Sequence, residues 1–108
     1  MTASIIDPAI IQVATADTEQ DLINNSGETR ELNLLIHIAN NGSSAANVEL
    51  WITNASNTKL FPLLPESAIP KKIGISNSTK LVLKAGNKIR IRASSTNVYA
   101  MICPVSGV

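Results

Sequence analysis

Residues 30–53 read RELNLLIHIANNGSSAANVELWIT, and the reading of this stretch decides the fold. Leu32, Leu34, Ile36 and Ile38 alternate with Glu31, Asn33, Leu35 and His37, the period of two that a strand with one buried face imposes. Val48, Leu50 and Ile52 repeat the pattern, with Glu49, Trp51 and Thr53 in the opposite phase. Between them lie Asn41-Gly42 and two serines, a composition suited to a loop and poor for continuing a strand. Two alternating strands and a short polar connection predict an antiparallel pair with one dry face and one wet face.

The same logic extends outward in both directions. Residues 10–14 and 19–23 read as short strands, and Asn24-Asn25-Ser26-Gly27 as the turn that feeds the long strand. Residues 54–57 form another polar turn. In residues 59–75 the apolar Leu60, Phe61, Leu63 and Leu64 are interrupted by Pro62, Pro65 and Pro70, which deny them a central strand. An edge segment followed by a connection that crosses between sheets fits best, with Lys71 and Lys72 guarding the edge. Leu81 and Leu83, then Ile89 and Ile91, alternate with polar residues on either side of Ala85-Gly86-Asn87, which predicts a second hairpin. Val98, Ala100 and Ile102 close the domain. The expectation is an all-β, immunoglobulin-like antiparallel sandwich of seven or eight strands over residues 10–108. A small jelly roll is the alternative, and residues 1–9 read as a flexible arm.

At 108 residues and 44% apolar content the chain is expected to form one domain with a modest core. Aromatic residues are only 3%, so that core must be aliphatic. The net charge of +1 supplies no long-range attraction to nucleic acid or anionic lipid. Cys103 stands alone and cannot form an internal disulfide. The first residues lack the basic region of an export signal, and no segment reaches the roughly 18 apolar residues of a membrane helix. Folding in a cytoplasm, with no membrane partner, is the expectation.

Catalytic chemistry finds little support. His37 is the only histidine and falls in the outward phase of its strand; with Cys103 far away it makes a weak nucleophile–base pair. One His and one Cys are too few of the ligands zinc prefers, and the acidic residues are too scattered for calcium. Phosphate loops and a G-x-S-x-G elbow are absent from the sequence. The chain is expected not to be an enzyme, and to use no metal or cofactor. Lys88, Arg90 and Arg92 form a basic row that reads either as a contact for phosphate or an acidic partner, or as a solvated face neutralised by Glu31 and Glu49. With so few aromatic residues to stack bases, nucleic acid is not expected as a partner. The four N-x-S/T triplets, beginning at Asn24, Asn41, Asn54 and Asn77, follow from loops rich in Asn and Ser.

Five apolar residues occupy the outward phase of their strands: Leu35, Trp51, Val82, Tyr99 and Met101. Together they make a candidate interface, unless a second sheet or the proline-rich segment covers them. The stretches LNLLIHIANNGSSAANVELWI, TKLVLKAGNKIRIRASS and NVYAMICPVSGV, taken in order, resemble small structural proteins in the virions of tailed bacteriophages. The resemblance spans about residues 10–108. It implies a subunit that decorates or cements the capsid, or one at the tail or head–tail junction. The implied partners are other virion proteins and further copies of the chain. It brings no catalytic residues. A carbohydrate-binding or adhesion module is the competing reading, and it requires Trp51 or Tyr99 to be exposed in a groove.

Overall fold

The computed structural model describes residues 9–25 and 27–104. Its eight strands are β1 (Ala9–Gln12), β2 (Gln20–Asn24), β3 (Arg30–Asn40), β4 (Ala46–Thr53), β5 (Lys59–Ile69), β6 (Ile73–Leu83), β7 (Lys88–Ala93) and β8 (Val98–Pro104), with no helix among the described residues. They form two antiparallel sheets packed face to face: sheet A in the order β1-β8-β3-β6 and sheet B in the order β2-β7-β4-β5. The expected arm falls outside the described residues, except that Ala9 already belongs to β1.

The strand order has a simple logic. β4 pairs with β5, β3 with β6, β2 with β7 and β1 with β8, so the first half of the chain pairs with the second half in reverse. The chain is therefore one long antiparallel ribbon, folded at the turn after Thr53 and rolled up. Contacts of β3 with β8 and of β4 with β7 close the roll. This is the jelly-roll arrangement. An immunoglobulin-type order would set the first two strands side by side in one sheet.

Two expected hairpins are corrected by this order. β3 and β4 do not pair; they lie in different sheets and face each other across the core. The Ala85-Gly86-Asn87 turn likewise carries the chain from sheet A to sheet B, not between neighbouring strands. Alternation reports which side of a strand is buried, and a hairpin and an arch bury the same side. Residues 41–45 are long enough to span the roughly 10 Å between packed sheets.

Two buried asparagines clip these arches together. Asn40 is 1% exposed; its Nδ2 lies 2.9, 3.0 and 3.3 Å from the carbonyl oxygens of Ser44, Ile69 and Pro70, and its Oδ1 accepts from the Gly42 N–H. It ties the β3–β4 arch to the β5–β6 arch. Asn25 does the same at the other end, donating toward the carbonyls of Glu28, Leu83 and Lys84 while its Oδ1 accepts from Arg30 Nε. Gly86, at φ 86°, occupies the left-handed turn that this second clip secures.

The core between the sheets is aliphatic, as the composition requires: Leu34, Ile38, Leu50, Ile69, Leu83, Ile89, Ile91 and Ile102 are all fully buried. Alternation along β3 is strict, with every second residue from Leu32 to Asn40 buried. The proline-rich segment forms β5 at the edge of sheet B, where Pro62 and Pro65 are tolerated, and its register against β4 shifts at three points. The crossing to sheet A takes only residues 70–72. β6 is longer than its sequence suggests, because the polar run Ser76, Asn77, Ser78 and Thr79 pairs with β3 throughout.

Candidate functional site

The two sheets present outer faces of opposite character. On sheet B, the basic row of β7 lies between acidic groups on both sides. Arg90 Nε is 2.9 Å from Asp21 Oδ1, although its N–H does not point along that contact, and Arg90 Nη2 donates to the Glu19 carbonyl. Lys88 is 3.8 Å from Asp21, and Arg92 is 3.9 Å from Asp17 and 3.8 Å from Glu49. Lys59 on β5 adds contacts to Glu19 and Glu49. Four cations thus meet four carboxylates (Lys59, Lys88, Arg90 and Arg92 with Asp17, Glu19, Asp21 and Glu49). Glu49 is a neighbour of the row, as expected. Glu31 is not, because β3 belongs to sheet A, where Glu31 stands opposite Val82.

Trp51 lies on this same face of sheet B, in register with Arg90 and half-buried. The Lys59 ammonium sits 5.0 Å from its ring centroid, a cation–π contact. Its indole Nε1 is buried without a hydrogen-bond partner among the described residues. Trp51 is therefore separated from the other four candidate interface residues by the whole thickness of the sandwich.

Those four share the outer face of sheet A, and three of them are contiguous. The register sets up transverse rows: Ile10, Met101, His37 and Ser76 in one; Gln12, Tyr99, Ala39 and Gly74 in the next; Cys103, Leu35 and Ser78 on the other side. Leu35, Met101 and Tyr99 are thus neighbours. Val82 is 53% exposed but lies four residues further along the edge strand, opposite Glu31. The register also adds Ile10, 74% exposed and beside Met101, which the sequence reading placed in a strand without assigning to the surface. Its phase relative to Ile11, which packs on the core, was the available signal.

His37 and Ser76 are hydrogen-bonded through Nδ1 and Oγ. The ring reaches over β6, where a Cβ on Gly74 would stand 2.9 Å from His37 Nε2, so a larger residue there would have to push the ring aside. Beside this pair is an open depression of about 370 Å³. Its position follows from residue size: the row containing Ala39 and Gly74 has two small side chains between Tyr99 and the sheet edge. Among the described residues no group of three or more His, Cys, Asp or Glu side chains is placed to hold a metal ion. No described helix is long and apolar enough to cross a membrane.

No family model matches the chain, and no curated protein or solved structure is significantly similar to it.

Proposed function

We propose that the protein is a non-enzymatic structural subunit of a bacteriophage virion, made in the host cytoplasm, that decorates or cements the capsid through protein–protein contacts. The observation that carries this reading is the apolar strip of Ile10, Met101 and Leu35 across the open face of sheet A. Ile10 is 74% exposed and Met101 and Leu35 are half-buried, so the strip keeps apolar area in water that a neighbouring subunit would cover. Sheet B pairs the charges of its face and exposes Leu60 and Phe61 only on its edge strand. Jelly-roll sandwiches recur in viral capsid domains, and the sequence resemblance points the same way. A place in the tail or at the head–tail junction would use the same strip. Nucleic acid gains no support, since the basic row is ion-paired along its length.

Light scattering of the purified chain over a wide concentration range tests the reading. Self-association is expected, and Leu35→Glu with Met101→Glu should abolish it. Both side chains point away from the core, so the melting temperature should fall by less than about 4 °C, the shift that about 1 kcal/mol produces in a domain of this size. A chain that stays monomeric at every concentration and also fails to bind capsid shells would exclude the proposal.

A further inference from the structure

We propose that the depression beside Tyr99, His37 and Lys72 is a binding site for an acidic sugar, a ligand that joins a carboxylate to a hydroxylated ring. The inference does not rest on the assembly reading, although the depression borders the apolar strip: His37 stands opposite Met101, and Tyr99 lies one row along β8.

Shape is the first argument. Ala39 and Gly74 form a flat floor, because they pair across β3 and β6 and have the smallest side chains on the face. Tyr99, 38% exposed, stands beside Ala39 on β8 and offers a ring face and a hydroxyl. His37, fixed by Ser76 and leaning over Gly74, makes the adjoining wall. Asn41 and Lys72 close the end where the two arches meet. The depression holds about 370 Å³ and is open to solvent on one side, room to seat a single ring and not to enclose it. An aromatic wall with nearby polar groups suits a sugar ring.

Charge is the second argument. Every cation on the outer face of sheet B has a carboxylate partner, but no acidic side chain lines this depression. Lys72 Nζ donates to the Asn41 carbonyl, and neither Lys71 nor Lys72 makes an ion pair among the described residues. A positive end without its own counter-charge is complementary to a carboxylate.

Backbone conformation is the third argument. Asp17, Asn57 and Lys72 are the described non-glycine residues at positive φ, and Lys72 stands at φ 59°. Asp and Asn adopt that region readily, whereas lysine has no local compensation for its Cβ there. Glycine would serve the turn better, so a lysine held at the mouth of the depression points to a use for its ammonium group.

Calorimetry and NMR titration of the full chain with glucuronate, glucose, acetate and a short polyuronic acid test the proposal. Glucuronate is expected to shift the Tyr99 and His37 ring signals saturably, with glucose and acetate each weaker by about tenfold or more. Saturation by the monosaccharide alone identifies a free sugar acid, and tighter binding of the oligomer identifies a polysaccharide; both outcomes support the site. Lys72→Gly should remove the preference for glucuronate over glucose without lowering the melting temperature, a pair of effects that a purely structural lysine would not give. Lys72→Asn, which also tolerates the left-handed backbone, serves if the glycine variant folds poorly. Three results would each overturn the proposal: no saturable shift with either acidic ligand, binding of acetate as tight as that of glucuronate, or undiminished selectivity in both Lys72 variants.

Discussion

Asn40 shows what a single side chain contributes to this fold. Its amide reaches three carbonyls and an N–H from inside the protein, so it replaces water for groups of two arches at once. Truncation strands the Ile69 carbonyl and the Gly42 N–H, whose bonds to Asn40 are buried, while the Ser44 and Pro70 carbonyls lie nearer the surface. Asn40→Ala is therefore expected to lower stability by about 2–3 kcal/mol in urea unfolding, well above the cost of an exposed asparagine. Asn40→Asp should do at least as much harm, because it removes the donor and turns a carboxylate toward carbonyl oxygens. A loss below about 0.5 kcal/mol for both would show that the clip is dispensable. In the sequence, Asn40 ends the alternating run of the long strand, in phase with Leu32, Leu34, Ile36 and Ile38, whereas Asn25 sits in a turn cluster. The phase thus turns Asn40 inward and composition marks Asn25 as turn chemistry, yet nothing local reveals what they bind, since carbonyls they serve lie 29 and 58 residues away.

At the scale of elements, alternation made the strands legible and left their neighbours open. Leu32 to Ile38 and Ile89 to Ile91 had to face a core, and they do. Which sheet each strand joins depends on whether a turn doubles back or arches over, and the five residues between β3 and β4, Asn41 to Ala45, permit both. For the same reason the interface candidates could be listed but not grouped: Trp51 shares its outward phase with Leu35 and lies on the opposite side of the molecule. The depression was hidden differently, because Ala39 and Gly74 acquire meaning only once the register sets them side by side. The prolines of β5 were informative. Pro62 and Pro65 lack the N–H groups that a free edge would offer to another chain, so they limit strand addition there. Replacing them in the double variant Pro62→Val and Pro65→Thr should restore two donors and promote aggregation through β5. The expected outcome is a rise in scattered light at concentrations where the natural chain is clear, with the Leu35→Glu and Met101→Glu substitutions giving no protection. Unchanged solubility would show that the register shifts of β5, and not its prolines, keep the edge closed.

For the whole molecule, the ribbon topology makes a demand that no single element makes. The four ribbon pairings nest one inside the next, from the β4–β5 turn outward through β3–β6 and β2–β7 to β1 and β8, where Ala9 stands opposite Ile102. Contacts between β1 and β8 thus close the largest loops, which makes the order of assembly sensitive to chain connectivity. The tip of the ribbon is a local structure: Asn54 Oδ1 accepts from the N–H groups of Ser56 and Thr58, Asn57 takes a left-handed backbone, and residues 55–58 are exposed. The β5–β6 arch differs, since the carbonyls of Ile69 and Pro70 are held by Asn40. A circular permutant that joins β8 to β1 through a linker of about four residues and opens between Ala55 and Ser56 should therefore fold cooperatively. Its outer strands become the local pair and its former tip the distant one, so the folding rate should change more than the stability, which should fall by about 1–3 kcal/mol. Opening the chain between Lys71 and Lys72 instead frees the arch that Asn40 clips, and should cost more. Urea unfolding and stopped-flow refolding of the two permutants decide the matter. If the chain opened at Lys71 proves the more stable, the asparagine clips do not hold the roll together, and closure through β3–β8 and β4–β7 must do so alone.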